Sequence, residues 1–338
     1  MSSQSGHTII IAEAGVNHCG SLDRALKLID AAAEAGADYV KFQTFIASEL
    51  VSADTSLAEY QKHNTGSSGG QLEMLRSLEL SHDDHYRLAD HCKDCGIKFL
   101  STAFDKESTA FLASLGLDYW KIPSGEILNT PYLQQIASYK GQVLMSTGMC
   151  ATADIEAALQ ILADAGQPRE KISLLHCNTM YPTPMHDVNL RAIPAMRRHF
   201  GLPTGYSDHT LGVEVPIAAV ALGATIIEKH FTLDRNLPGP DHKASLIPDE
   251  LKSMVKAIRN IEQALGSADK HITHSEAINI NAARKSIVAS RDIRCGERFS
   301  AENLTTRRPG NGISPLRWNE LLTLTATRDF AAGEQITL

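Results

Sequence analysis

"TIIEKHF" (225–231) begins as a β-branched apolar run and closes on three ionisable side chains, Glu228, Lys229 and His230. So short a run, dense in Ile and Thr, reads as a strand. "GYSDHT" (205–210) has the same shape and closes on Ser207, Asp208 and His209. Working outward, strand-like runs recur as "TIIIAE" (8–13), "YVKFQ" (39–43), "IKFLST" (97–102), "YWKIPS" (119–124), "VLMST" (143–147) and "ISLLHC" (172–177). With 204–207 and 225–231 they number eight. Helical periodicity fills the gaps. "SLDRALKLIDAAAEAGA" places Leu22, Ala25, Leu26, Ile29 and Ala33 on one face, with Ser21 as cap and Gly36 as stop. "TADIEAALQILADAG" repeats this with Thr152 as cap and Gly166 as stop, and a further helix ends at Gly266.

Eight alternating strand–helix units predict parallel strands joined by helical crossovers. Eight is the number that closes a (β/α)8 TIM barrel. An open doubly wound sheet is the alternative, but no GxGxxG follows the first strand. Nearly every run ends in polar chemistry: Glu13, Lys41 and Gln43, Thr102, Lys121 and Ser124, Ser146 and Thr147, His176, Ser207, and Glu228 with His230. In a barrel these ends open on one face, where active sites of this fold lie. A purely structural barrel has no need of so many functional side chains on one rim, so the reading is an enzyme. The rhythm stops around 266–279. The expected organisation is a barrel over 1–270, a linker over 271–283 and a small domain over 284–338, with short β segments "SIVAS" and "ATRDF".

The 338 residues are 43% hydrophobic and 21% charged, ordinary for a globular protein. A net charge of −7 argues against nucleic acid and anionic membranes as partners, so any anion site must be local. "VPIAAVALGATII", uncharged between Glu214 and Glu228, is shorter than the ~20 residues a membrane span needs. The N-terminal stretch has no basic segment followed by a long apolar one, so the expected location is cytoplasmic. Six cysteines are too sparse for a disulfide scaffold. Cys92 and Cys95 form a CxxC with no second pair to complete a zinc site, and read as two reduced thiols near a helix end.

His209 and His230 follow adjacent strands, so their side chains can converge. Two imidazoles without a cysteine cluster suit a borderline divalent metal with open positions, such as Mn²⁺, Fe²⁺, Co²⁺ or Zn²⁺. Two hydrogen-bonded rim histidines are the alternative, and His176 is a candidate third member. Lys41 and Lys121, beside Thr102, Ser124, Gly125 and Ser207, suggest a phosphate or carboxylate site; a Schiff-base lysine is another option. Glu13 can act as general base or stabilise a cationic centre, or simply pair with a rim lysine. Glu126 and Asp241 can bind sugar hydroxyls. Arg307 and Arg308 stand in a turn of the small domain and suit a carboxylate.

"AEAGVNHCGS", "GADYVKFQTF", "YWKIPSGE", "STGM", "LLHCNTMYPTPMHDVNL", "GYSDHT", "EKHFTLD", "GPDHKASL" and "RPGNGIS", in this order, resemble the sialic acid synthases, the bacterial nonulosonic acid synthases. The resemblance runs from Ile9 to the end, and the small domain resembles that family's antifreeze-like (SAF) domain. It implies condensation of phosphoenolpyruvate with an N-acylated mannosamine-type sugar and release of phosphate. It implies a divalent metal on His209 and His230, Mn²⁺ first with Mg²⁺ or Co²⁺ as alternatives. It further implies phosphoenolpyruvate on Lys41, Thr102, Lys121, Ser124 and Ser207, and sugar on Gln43, Glu126, Tyr181 and Asp241. Glu13 matches the catalytic glutamate, with Glu228 orienting the metal site or a water. In a domain-swapped homodimer Arg308 would contact the sugar of the other subunit. One departure is "NT" at Asn178 and Thr179, where some sialic acid synthases carry "TN" or "TS". That form is shared with synthases that resemble legionaminic acid synthases, so Thr179 and its loop are where the sugar contacts are least transferable.

The expected product is N-acetylneuraminate from N-acetylmannosamine, with legionaminate from 2,4-diacetamido-2,4,6-trideoxymannose as the alternative. A synthase of the Kdo-8-phosphate type would need a second basic cluster that the rim lacks. An ice- or sugar-binding role for the small domain conflicts with its charges in "RDIRCGERF" and "TTRRPGNG".

Overall fold

A computed structural model of the chain describes residues 6–52, 54–57, 62 and 69–338. The chain divides into two compact units that part between Gly266 and Ser267.

The first unit is the expected (β/α)8 barrel. Its strands are β1 (Ile9–Gly15), β2 (Tyr39–Thr44), β3 (Lys98–Ala103), β4 (Tyr119–Ile122), β5 (Gln142–Ser146), β6 (Ile172–Cys177), β7 (Thr204–Asp208) and β8 (Ile226–His230). The crossover helices are α1 (Leu22–Ala35), α2 (His82–Cys95), α3 (Lys106–Ser114), α4 (Thr130–Ser138), α5 (Thr152–Asp164), α6 (Ala192–Phe200), α7 (Glu214–Ala221) and α8 (Pro248–Leu265). Two short helices, Ala47–Leu50 and Gln71–Arg76, lie in the long crossover between β2 and α2. Ser21 caps α1 by accepting from the Arg24 amide, as expected. The cap of α5 is corrected: Thr152 is already helical, and the Asp154 carboxylate accepts from the Ala151 amide at 2.8 Å. An acidic side chain one turn in serves the same orphan donors and also suits the helix dipole.

The hydrogen-bonded strand order runs β3, β2, β1, β8, β7, β6, β5, β4. The two ends of that order lie side by side and close the ring without a backbone ladder. Side chains fasten this joint instead. Near one end, Asp118 accepts from Lys98 at 2.7 Å and from the Tyr39 hydroxyl at 2.8 Å. At the other, the Tyr132 hydroxyl of α4 donates to the Ala103 carbonyl at 2.8 Å, with the Lys121 carbonyl at 3.3 Å.

Strand alternation sorts the side chains. Ile11, Tyr39, Leu100, Leu144, Leu175 and Ile226 point inward and plug the barrel. Ile10, Ala12, Val40, Phe42, Tyr206 and Ile227 point outward and pack with α1, α2, α7 and α8. A second outer cluster joins Trp120, Ile122, Val143, Met145 and Leu174 to α4 and α5. Two residues beyond each inward apolar residue, the period of 2 returns a side chain to the interior. That next layer is Glu13, Lys41, Thr102, Ser146, Cys177 and Glu228, with Lys121 and Ser207 beside them.

The second unit has its own small core of Ile287, Ala289, Ile293, Phe299, Leu304, Leu321, Ala326, Phe330 and Ile336. β9 (Ser286–Ala289) pairs antiparallel with β10 (Leu304–Arg307). "ATRDF" is not a strand; its segment joins only through single bridges, Ile293 to Phe330 and Arg298 to Thr325. Among the described residues no helix is long and apolar enough to cross a membrane.

Candidate active site

A cavity of about 260 Å³ opens at the C-terminal ends of the strands. Its floor is a charged cluster. The Lys41 ammonium lies 2.7 Å from Glu13 Oε2 and 3.7 Å from Glu228 Oε2. It donates to Thr102 Oγ1 at 2.8 Å. Lys121 donates to both Glu228 oxygens, at 2.9 and 3.1 Å, and Ser207 Oγ donates to Oε1 at 2.9 Å. Gln43 Nε2 reaches Glu13 Oε1 at 3.3 Å. All four charged groups are buried, two cations against two carboxylates.

The two carboxylates differ. Burial would push Glu228 up, but Lys121 and Lys41 outweigh it and hold the carboxyl far below its ordinary range. For Glu13, burial dominates and the Glu228 charge adds to it, so its pKa rises to about 7 despite Lys41. Glu13 Oε2 has the Lys41 charge beside it but no aligned hydrogen bond. Glu228 is therefore a fixed counter-ion, and Glu13 is the group whose proton can move near neutral pH.

His209 follows β7 and His230 ends β8, and their ring centroids lie 5.3 Å apart. The Asn178 carbonyl can only accept, so His209 Nδ1–H donates to it and Nε2 keeps its lone pair. His230 Nδ1 is buried with no hydrogen-bond partner, and the nearest carboxylate oxygen is Asp241 Oδ2 at 3.9 Å. Burial, and for His230 also the charge of His209, pushes both imidazoles down, His209 to about 4. Neutral rings, one fixed by a hydrogen bond from its other nitrogen and one with an orphaned nitrogen, fit a divalent cation. Burial lifts Asp241 to about 6. Tyr181 stacks on His209 with centroids 4.0 Å apart.

The loops are tied from behind. Asn17 donates to the Phe231 carbonyl at 2.8 Å and to Ser245 Oγ at 2.9 Å, and Ser245 Oγ donates to the Asp241 carbonyl at 2.7 Å. Outside the barrel wall, Lys229 meets Asp208 Oδ2 at 2.6 Å and also the Thr210 carbonyl. This resolves the alternating chemistry of the two opening stretches. Ser207, Glu228 and His230 face inward, while Asp208 and Lys229 face outward and lock β7 to β8. Two glycines are needed, one by its backbone and one by space. Gly15, at φ +51°, turns the chain in the left-handed region, and a Cβ there would come within 3.2 Å of Glu13 Oε1. At Gly148 a Cβ would lie 2.7–3.0 Å from Thr179, Ser124 and Cys177.

Of the residues singled out from the sequence, Glu13, Lys41, Gln43, Thr102, Lys121, Ser124, Thr179, Tyr181, Ser207, His209, Glu228, His230 and Asp241 all line this cavity. Glu126, Thr147, His176, Arg307 and Arg308 are not among its lining residues. Glu126 Oε2 accepts from Asn129 at 2.6 Å in the turn after β4. His176 is one residue out of phase with Cys177, so its ring faces outward and Nε2 bonds the Val188 carbonyl at 2.9 Å. Arg308 lies in the second unit, exposed, donating to the Ala283 carbonyl at 3.1 Å. Cys177, the inward neighbour of His176, was missed although alternation could have found it. Ser146, already visible as a strand end, has a buried hydroxyl with no partner. Met74, Leu75, Leu78 and Phe104, which pack in one cluster, form an apolar side of the cavity that no motif signalled, and Met149 also lines it.

The NeuB family profile matches residues 28–270, and the SAF domain profile matches residues 284–338. The chain belongs to the NeuB family. It is 51% identical to the N,N'-diacetyllegionaminic acid synthase of Campylobacter jejuni over 97% of this chain and 98% of that one. It is 47% identical to the Legionella pneumophila protein of the same name, over 96% and 92% of the two chains. Among solved structures it is similar to the N-acetylneuraminic acid (sialic acid) synthetase of Leptospira borgpetersenii in complex with citrate. That match has a TM-score of 0.71 and 34% identity over 82% of this chain and 91% of that one. This NeuB-family protein is thus an enzyme of the nonulosonic acid synthase type.

Proposed function

We propose that the protein condenses phosphoenolpyruvate with 2,4-diacetamido-2,4,6-trideoxymannose, giving N,N'-diacetyllegionaminate and phosphate. The observation that carries this reading is the near full-length identity of 51% and 47% to two N,N'-diacetyllegionaminic acid synthases. It reverses the order of the two acceptors expected from the sequence. The apolar side made by Met74, Leu75, Leu78 and Phe104 supports it, since a 6-deoxy sugar presents a methyl group where N-acetylmannosamine presents a hydroxyl. N-acetylneuraminate synthesis is the second reading, favoured by the 34% identity to the Leptospira sialic acid synthetase.

In this proposal a divalent cation, Mn²⁺ first, held by His209 and His230, supplies Lewis-acid polarisation of the sugar aldehyde. Lys41 and Lys121, with Thr102, Ser124 and Ser207, bind the phosphate and carboxylate of phosphoenolpyruvate. Both lysines are already neutralised by Glu13 and Glu228, so an incoming anion competes with those carboxylates for the ammonium groups. Glu13 is the one that can yield, by taking up a proton. Carbon 3 of phosphoenolpyruvate forms the new bond to the aldehyde carbon, whose oxygen takes the proton that Glu13 carries, leaving Glu13 ionised. Water adds to the cationic carbon 2 and gives its proton to Glu13. The tetrahedral centre then loses phosphate by C–O cleavage. Gln43, Tyr181 and Asp241 hold the sugar. The reading includes a cytoplasmic, domain-swapped homodimer in which Arg308 reaches the partner's sugar.

The test is phosphate release with each acceptor in parallel, with Mn²⁺ and after metal removal. The diacetamido sugar is expected to turn over at least 10-fold faster, and His230→Asn to lose the metal-stimulated rate. Faster turnover of N-acetylmannosamine would establish the second reading. Release indifferent to full metal removal would overturn the role of the histidine pair.

A further inference from the structure

The CxxC of α2 divides across the helix surface. Cys92 is buried in the barrel's outer core, while Cys95, in the last turn of α2, is half-buried at the surface. Beside Cys95 stand His91, four residues earlier on the same helix face, and Asp30 from α1. His91 Nε2 is 2.7 Å from Asp30 Oδ1. Cys95 Sγ is 3.4 Å from the same oxygen and 3.5 Å from His91 Nε2. Among the described residues this is the one place where three such ligand atoms lie within 4.8 Å of one another.

We propose that Asp30, His91 and Cys95 form a second metal site, selective for Zn²⁺ or a similarly thiophilic divalent ion and separate from the cavity. With Zn–S of about 2.3 Å and Zn–N or Zn–O of about 2.0–2.1 Å, tetrahedral edges are about 3.6 Å for S–N and S–O and about 3.3 Å for N–O. The two sulfur edges are within about 0.2 Å of these values already. Only the His91–Asp30 pair must part, by about 0.6 Å, and both side chains are solvent-facing enough to move. Their exposure leaves the fourth position to water. On binding, Cys95–SH gives its proton to solvent as the S–Zn bond forms. The His91 ring carries its remaining proton on Nδ1, leaving Nε2 as the donor atom. The cavity pair His209 and His230 offers imidazole nitrogens and suits borderline ions, whereas this cluster adds a thiol sulfur, so the two sites divide metals by ligand softness. In this fold the last turn of α2 points to the face where the strands begin, away from the cavity. The ion would clamp α1 to α2 rather than take part in condensation.

The decisive measurement is alkylation of the full-length protein by iodoacetamide, mapped by mass spectrometry, with and without micromolar Zn²⁺. The proposal expects Zn²⁺ to slow Cys95 at least 10-fold and leave the exposed Cys295 unchanged. His91→Gln and Asp30→Asn should each remove the protection while Cys95 still reacts. Equal Cys95 rates with and without Zn²⁺, or protection surviving in His91→Gln, would overturn it. A second readout uses Co²⁺, whose thiolate charge-transfer absorption must appear in the wild type and vanish in Cys95→Ser. A band unchanged in that variant would also overturn it. Zn²⁺ should raise the melting temperature of the wild type by more than that of Cys95→Ser, in which the cavity histidines can still bind it.

Discussion

Glu13 and Glu228 sit in the same layer of the barrel, share Lys41, and differ in what their removal should do. Glu228→Gln leaves Lys121 buried without its anion and replaces one of the two oxygens that accept from Lys121 and Ser207 with an NH2 that cannot accept. Its expected cost is about 3 kcal/mol of stability, read as a lower urea midpoint. Glu13→Gln should cost clearly less, because Lys41 keeps Glu228 at 3.7 Å. Its turnover should nevertheless fall ~10²–10⁴-fold, the usual worth of a positioned general base. Comparable stability losses in the two variants, or near-normal turnover of Glu13→Gln, would contradict this division. The residue types were legible in the sequence, since strand ends carry the chemistry. Their pairing was not: that Glu13 belongs to Lys41 and Glu228 to Lys121 depends on how close neighbouring strands bring them.

At the scale of the element, alternation was the readable signal, and its phase decided success. The register Ser207 to Glu228 and Asp208 to Lys229 follows from apolar runs whose inward members are already known. On β6 the same rule selects Cys177 and excludes His176; chemistry drew attention to the histidine, and the pleat turned it outward. Glu126 lies outside the cavity lining for a related reason. β4 ends at Ile122, and the 3-10 turn Ser124–Glu126 breaks the period before the carboxylate is reached. Invisible in sequence was the role of Tyr132, a helix residue whose hydroxyl fastens the joint between β3 and β4. Tyr132→Phe leaves a buried carbonyl without its donor, at an expected cost of about 1–3 kcal/mol. Urea unfolding should show a lower midpoint at unchanged slope. An unchanged midpoint would mean the joint is held by packing alone.

For the whole molecule, several histidines are buried in neutral form. Burial, with the Arg24 charge adding to it, pushes His18 down to about 3; burial and Arg24 push His242 down to about 4; burial also lowers His85. An unfolded histidine titrates near 6.5. The unfolded chain therefore binds more protons between the folded values and ~6.5. Stability is complete above that range and is lost as pH falls through it, by about 1.4 kcal/mol per pH unit for each such group. The melting temperature should drop steeply below pH ~6.5, and His18→Gln should flatten the slope. A slope unchanged in that variant would show that His18 protonates without cost. Barrel and small domain were separable in the sequence because the strand–helix rhythm ends; the internal pairing of the small domain was not, because much of it joins through single bridges.

The ring of strands is round in space but linear in its hydrogen bonds. Seven joints are zipped by backbone ladders, and the eighth, between β3 and β4, is buttoned by a few side chains. Thermal breathing should begin there, and it would draw Thr102 and Lys41 away from Lys121. An anion held there as proposed, by Lys41 and Thr102 on one side and Lys121 on the other, would bridge the same gap and act as the rung the backbone lacks. Occupancy of the cavity and integrity of the barrel are then one equilibrium, and the amides along β3 and β4 should exchange more slowly when phosphoenolpyruvate is bound.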